Sequence, residues 1–328
     1  MLYLDESTLP FIRSSKNLLA FSSGVDSSAL FFLLLEAKVS FDIVIINYNL
    51  REESLKEEIH AVNLAKKYQL KCYTLQAPSF KKNFEKNARD FRYDFFDKLM
   101  IKYDYSNLLT AHQLNDQLEW FLMRLTKGAG TSELLGLENI SKRHDYTLIR
   151  PLLHHSKKEL LNYLNLNNLP YFIDKSNFDE KYERNNFRKN FSDKLLEINK
   201  KGIQRSFKYL KEDKKHLNEG YFEIFSYKKL SILKIDKPSI IVHAVDQQLK
   251  KFGYLLSRGQ REELKENSSI VIGGIWGISI EKNKIFISPY LITSMPKKFK
   301  ETCRVLKIPS KIRAYLYQEE INPKMISE

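Results

Sequence analysis

The stretch Ser22-Ser23-Gly24-Val25-Asp26-Ser27, followed by Ser28, carries more small hydroxyl residues than a turn needs. It stands between an apolar run, Leu18 to Phe21, and a segment from Asp26 to Ala37 with Leu30, Leu33 and Leu34 on one helical face. Backbone N–H groups at a helix start favour an anion, and a glycine lets the backbone come close to it. Ser22, Ser27 and Ser28 add hydroxyl donors. No Gly-Lys-Ser/Thr follows, so this is not a Walker loop. Asp26 would repel a phosphate unless a divalent cation lay between them, which makes it a candidate Mg2+ ligand. A plain helix N-cap accounts for Asp26 or Ser27 taken singly, but not for the whole run. The chemistry expected of Ser22, Ser23, Gly24, Val25, Asp26 and Ser27 is capture of a phosphate anion.

Three further blocks carry reactive types. In Thr110-Ala111-His112-Gln113-Leu114-Asn115-Asp116-Gln117-Leu118-Glu119, His112 and Asp116 are one helical turn apart and Glu119 follows on the same side. A histidine with carboxylates can coordinate Mg2+ and orient attacking groups. Asp116 is therefore a second candidate metal ligand. In Asn83 to Tyr93, the residues Glu85, Arg89 and Arg92 share a helical side with Phe96. Two guanidiniums there would hold phosphate or transition-state charge, or else form a surface ion-pair ladder. The third block runs through Lys127-Gly128-Ala129-Gly130, Arg150-Pro151-Leu152, Asp174-Lys175-Ser176-Asn177 and Tyr182-Glu183-Arg184-Asn185-Asn186-Phe187-Arg188.

The elements that must position these residues alternate. Strands are expected at 18–21, 43–46, 71–75 and 107–110, and helices at 26–37, 53–69, 84–100 and 114–125. Continuous apolar strands between amphipathic helices imply a parallel sheet covered on both faces. That is an α/β, doubly wound, Rossmann-like domain, whose ligand belongs at the carboxyl ends of the strands, at the switch point. A polar helix over 185–216 would lead out of it. Beyond lie expected helices at 237–252 and 258–266 and strands at 270–272, 275–280 and 284–288. The reading is a catalytic domain over 1–215 and a smaller α+β domain over 216–328.

Charge is unevenly shared. The chain carries a net of +14, and residues 201–328 hold 25 basic against 14 acidic residues. Residues 297–313 alone have seven basic residues and one Glu, interleaved with Phe299, Val305, Leu306 and Ile308. An anionic partner, nucleic acid before membrane, is expected on the C-terminal part. A lysine-rich proteome with solvated surfaces would give the same excess. The two cysteines, Cys72 and Cys303, lack metal-ligand spacing and read as inert thiols. The longest apolar run, Ala29 to Leu35, is far short of the ~20 residues of a membrane span. Residues 1–10 lack the cationic start and apolar stretch of a signal peptide. A cytoplasmic protein is expected.

The loop resembles the Ser-Gly-Gly-x-Asp-Ser signature of the PP-loop ATP pyrophosphatases, with Ser23 in place of a glycine. The blocks at 83–93, 110–119, 127–130, 150–152, 174–177 and 182–188 are together similar to the tRNA(Ile)-lysidine synthases. The resemblance covers residues 17–190 in matching order. Departures are Asn47-Tyr48-Asn49 before Leu50-Arg51, Asn115 for an aspartate and Trp120 for a threonine. The resemblance implies a carbon–nitrogen ligase using ATP and Mg2+. Its substrates would be an isoleucine tRNA with a CAU anticodon and L-lysine. The cytosine O2 of the wobble base would be adenylated with release of pyrophosphate. The lysine ε-amine would then displace AMP at C2. Asp26, Arg92, His112, Asp116 and Arg184 are the implied catalytic residues, with Arg89 and Glu119 as further candidates. A tRNA 2-thiolation enzyme, a glutamine-dependent synthetase and a non-catalytic RNA-binding protein with a degenerate nucleotide site are the competing readings. Oligomeric state is left open, a dimer included.

Overall fold

A computed structural model describes residues 2–49, 53–80, 84–143, 145–173 and 183–326. The chain divides into two units, Met1–Leu210 and Lys211–Glu328.

In the first unit a short helix, α1 (Leu9–Arg13), leads into β1 (Asn17–Ala20), α2 (Val25–Glu36), β2 (Phe41–Asn47), α3 (Glu53–Lys67) and β3 (Cys72–Gln76). Then come α4 (Phe84–Tyr103), β4 (Asn107–Leu109), α5 (Leu114–Leu125) and α6 (Thr131–Leu134). A hairpin of β5 (Ile140–Lys142) and β6 (Thr147–Ile149) and the helix α7 (Lys157–Leu166) follow. The six strands form one sheet in the order β3-β2-β1-β4-β6-β5. All its pairs are parallel except β5 with β6.

Alternation along the strands explains the two covered faces. Leu19, Ile43, Ile45, Leu109 and Ile149 join one core, with Leu30, Phe31 and Leu34 of α2 and Leu160 and Leu164 of α7. Their neighbours Leu18, Val44, Leu108 and Leu148 join the other, with Phe96, Leu99 and Met100 of α4. The sheet is therefore doubly wound. Its order reverses between β1 and β4, so the segments after these two strands, Ser22–Ser27 and Thr110–Asp116, meet at the switch point.

The helix expected over 185–216 is interrupted. It comprises α8 (Glu183–Phe187), a π-helical turn at Arg188–Ser192 and α9 (Asp193–Asn218), with Asn199 non-helical at φ −157° and ψ 77°. The π turn closes when the Asp193 N–H donates to the Arg188 carbonyl. Arg188 then reaches Glu119 while Asp193 accepts from Asn115 Nδ2 at 2.7 Å. Asn115 and Glu119 are one turn apart on α5, and the extra residue keeps both partners facing it. The local sequence is helical throughout, so only this tertiary demand reveals the break.

The second unit is α+β. Strands β7 (Tyr221–Tyr227), β8 (Leu230–Ile235), β9 (Ser269–Ile272), β10 (Trp276–Glu281) and β11 (Lys284–Pro289) form an antiparallel sheet in the order β7-β8-β11-β10-β9. Helices α10 (Ile241–Lys251) and α11 (Arg258–Glu266) cover one face, around Leu233, Val245, Leu264, Trp276 and Ile278. Helices α12 (Lys297–Val305) and α13 (Ser310–Gln318) cover the other, around Ile232, Phe286, Cys303, Ile312 and Leu316. The basic segment 297–313 is thus two helices. Phe299, Leu306 and Ile308 pack inward from it while Val305 stays 64% exposed.

Candidate active site

The phosphate loop leaves β1 at its carboxyl end and enters α2, whose N-cap is Gly24. The first N–H groups of any α-helix lack intrahelical acceptors, so the start of α2 offers donors to an anion. Ser22 and Ser27 are tied together: their hydroxyl oxygens lie 3.1 Å apart and the Ser22 N–H donates to Ser27 Oγ at 3.2 Å. Gly24 has an ordinary φ of −77°. The left-handed position is Ser23, at φ 58°. This is where a β-carbon is costly, and the serine has compensating contacts. Ser23 is fully buried, its Oγ donates to the Glu57 carbonyl at 2.8 Å, and its own carbonyl accepts from the Phe172 N–H at 2.8 Å. The departure from glycine thus fastens the loop to α3 through its hydroxyl, while the bond to Phe172 is a backbone one that a glycine would keep.

Asp26 opens the first turn of α2. Its Oδ1 is buried with no hydrogen-bond partner among the described residues. Burial, then the charge of Asp116, raises its carboxyl to about 7, against the opposing charges of Lys157 and Arg188. The second carboxylate is anchored in its backbone. Gln113 caps α5, and its N–H donates to Asp116 Oδ2 at 3.0 Å, closing a capping box. Arg184 donates from Nη2 to Asp116 Oδ1 at 2.6 Å and from Nε to Glu119 Oε2 at 2.8 Å. Arg188 holds both oxygens of Glu119, Nε at 2.7 Å and Nη2 at 3.1 Å. Burial works against ionisation of Asp116, but Arg184, His112 and the Gln113 N–H outweigh it and lower its pKa. Glu119, wholly buried, is raised by burial and by Asp116 against the two arginines.

His112 sits between this group and the next strand. Its Nδ1 lies 3.0 Å from Thr110 Oγ1. Burial takes its pKa down to about 4; Asp116 opposes this, while Arg150, Arg184 and Arg89 reinforce it. The imidazole is therefore neutral at physiological pH.

The structure brings Asp26, His112, Asp116, Glu119 and Arg184 together behind the Ser22–Ser27 loop. It places Arg92 beside the end of β2, where its Nε donates to the Tyr48 hydroxyl at 3.1 Å. Arg89 lies over the ring of Tyr93, 4.8 Å from its centroid. Tyr48, a departure from the family pattern, in turn donates to the Ala88 carbonyl at 3.2 Å and so ties α4 to β2. Asn115, another departure, accepts from the Lys157 N–H at 3.0 Å and bonds Asp193. Sequence reasoning passed over Arg188 and Lys157. Arg188 was signalled by its spacing of four from Arg184; nothing in the local sequence marked Lys157. The blocks at 50–51 and 174–182, together with Asn83, lie outside the described residues, as does the side chain of Glu85.

A polyphosphate loop at the switch point of a doubly wound sheet defines a PP-loop protein, and the model of the PP-loop domain matches residues 4–195. The fold is shared with the U34-tRNA thiolase NcsA of Methanococcus maripaludis, at a TM-score of 0.53 and 16% identity over 63% of this chain and 74% of that one. The chain is 45% identical to the tRNA(Ile)-lysidine synthase of Campylobacter jejuni strain RM1221, over 99% of each protein. It is 41% identical to that of Wolinella succinogenes over 95% of each, and 41% identical to that of Helicobacter pylori strain 26695 over 94% of this chain and 91% of that protein. The chain belongs to the tRNA(Ile)-lysidine synthase family.

Proposed function

We propose that the site formed by the Ser22–Ser27 loop with Asp26, His112, Asp116 and Arg184 carries out the family's reaction, with a division of labour set by this geometry. The chain is an ATP-binding ligase of tRNA processing that forms lysidine on isoleucine tRNA. The loop and the start of α2 hold the pyrophosphate end of ATP while the cytosine O2 is adenylated. Pyrophosphate leaves, the lysine ε-amine attacks C2, and the C2–O bond to AMP breaks.

The observation that carries this assignment is the buried Asp26 oxygen, without a hydrogen-bond partner among the described residues, beside the charge of Asp116. Two carboxylates held this way suit Mg2+, which takes one or two protein carboxylates and completes its shell with phosphate oxygens and water. Held by Asp26 and Asp116, it would supply neutralisation of phosphate charge. Arg184 keeps 44% of its side chain exposed and so can meet charge developing on the α-phosphate. Neutral His112 accepts a hydrogen bond from the incoming ε-amine, and the Asp116 charge attracts it. Glu119, committed to two arginines, acts as a positioning residue. Arg92, on Tyr48, supports the β2 side of the nucleotide.

The second unit contributes most of the net +11 of residues 201–328 and would bind phosphates of the tRNA body, with affinity falling as salt rises. No helix among the described residues is long and apolar enough to cross a membrane. Action on tRNA supports a cytoplasmic location. The thiolation reading lacks a nucleophile: burial, then Glu58, pushes the Cys72 thiol up to about 11, and Cys303 is buried in the other unit.

The test incubates protein, ATP, Mg2+ and lysine with isoleucine tRNA and measures the mass of nucleoside 34. A lysine adduct, with pyrophosphate release that needs the CAU anticodon, is expected. Turnover that ignores lysine and consumes a sulfur donor would overturn the reading.

A further inference from the structure

A second group of arginines is carried by α4 and the β5–β6 hairpin with the residue that follows it. Arg150 follows β6 at the carboxyl edge and is only 5% exposed. Its Nη1 donates to the Glu138 carbonyl at 2.7 Å and to Ser141 Oγ at 3.0 Å, while its Nε is buried with no partner among the described residues. Arg143, in the β5–β6 turn, lies 4.0 Å from the Tyr93 ring centroid, and Arg89 of α4 lies 4.8 Å from the same centroid. Both are exposed, and neither pairs with a carboxylate among the described residues. The three guanidiniums sense one another: burial first, then the charges of Arg89 and Arg143, lower the pKa of Arg150 against Tyr93 and Glu138.

Cations that form no ion pair among the described residues, gathered near one phenol with a buried N–H that has no partner among them, make a site suited to an anion. Strands are about 4.8 Å apart, so the end of β6 lies roughly 10 Å from the end of β1, with β4 between them. The group is thus about two strand spacings from the loop proposed to take the pyrophosphate. Arg150 and Arg89 both act on His112, which puts the group next to the reacting centre.

We propose that Arg89, Arg143 and Arg150, gathered around Tyr93, form a second anion subsite that takes a backbone phosphodiester of the RNA substrate near the target base. The proposal rests on the reading that tRNA is the substrate. It reassigns Arg89 from the nucleotide to the RNA. Contacts to phosphate fix the register of a nucleic acid without reading its bases, which is what a base drawn from its stack requires.

The test titrates the full-length protein with isoleucine tRNA at several salt concentrations and, separately, with ATP and Mg2+ without RNA. Arg143→Gln, exposed and outside the core, should weaken tRNA binding roughly tenfold and lower the slope of log Kd against log salt by about 0.7 to 1. Arg143→Lys should keep the slope, and Arg89→Gln with Arg143→Gln should lower it further. ATP affinity without RNA should stay within twofold in Arg143→Gln. An unchanged slope in the double variant, or weakened ATP binding in Arg143→Gln, overturns the subsite. A wild type that makes no lysidine, while the double variant still lowers the slope, sinks the functional reading and leaves the subsite standing.

Discussion

Arg184 and Arg188 beside α5, and Arg89, Arg143 and Arg150 around Tyr93, are the same side-chain chemistry under opposite charge balance. The first pair is matched by Asp116 and Glu119, with N···O distances of 2.6–2.8 Å in its shortest pairs. The second set forms no ion pair among the described residues, although the charge of Glu138 acts on Arg150. A guanidinium matched by buried carboxylates is held in place, and its removal exposes the charge it neutralised. An exposed guanidinium without an ion pair, such as Arg89 or Arg143, has capacity for a ligand, and its removal costs the fold little. The two arginine groups therefore make different predictions from similar-looking substitutions.

The largest effect is expected at Glu119. Glu119→Gln leaves two arginines short of a counter-charge and should cost up to about 3 kcal/mol, moderated by the exposure of Arg184 and by relief of the burial that raises the Glu119 pKa. Thermal unfolding should then fall by up to roughly 6 to 12 °C. A fall of less than a degree would show that the matched pair is not structural. Asp26→Asn comes next and should separate function from stability. Lysidine formation should fall by roughly 10²- to 10³-fold. Because burial raises the Asp26 pKa, the folded protein holds its proton to higher pH than the unfolded chain does. Stability from this group is complete below the usual carboxylate range and is lost as pH rises toward about 7. Without Mg2+, Asp26→Asn should thus be more stable than wild type at pH 8, by at least about 1 kcal/mol, and equal to it near pH 4. Equal melting curves at pH 8 would remove the strained carboxylate from the account. Arg143→Gln should move stability by less than about 0.5 kcal/mol, the contrast that Glu119→Gln needs. The smallest change is expected for Ser23→Gly. Relief of the left-handed backbone and loss of the bond to the Glu57 carbonyl are each about 1 kcal/mol and opposite in sign, so denaturant midpoints should coincide closely.

What the sequence made legible follows the same division. Ser22–Ser27, His112 and Asp116 are announced locally, by strand, loop and helix start, and the sheet that carries them alternates too regularly to miss. The strand limits shifted by a residue or so, as at β1, where pairing begins at Asn17. The β5–β6 hairpin, and with it the company kept by Arg143 and Arg150, was not legible. Strands of three residues carry almost no periodic signal, and the arginines meet Tyr93 across about 50 residues of chain. Arg188 was visible as a helical repeat of Arg184 but not as the clamp on Glu119, because α5 and α8 are brought together only by the fold. The second unit's first hairpin, β7–β8, was missed because β7 gives no clean alternation: Phe222, Ile224 and Tyr227 are exposed although apolar or aromatic.

The π-helical turn at Arg188–Ser192 makes chain length here a quantity under selection. Removing one residue from it would restore an ordinary helix and turn everything after it by about 100° relative to α8. Asp193 would leave Asn115 while Arg184 and Arg188 stayed on Glu119. Substitutions in this stretch can be absorbed one side chain at a time, but a single-residue deletion would displace the whole start of α9. Natural relatives should accordingly vary in composition between residues 188 and 193 far more readily than in length.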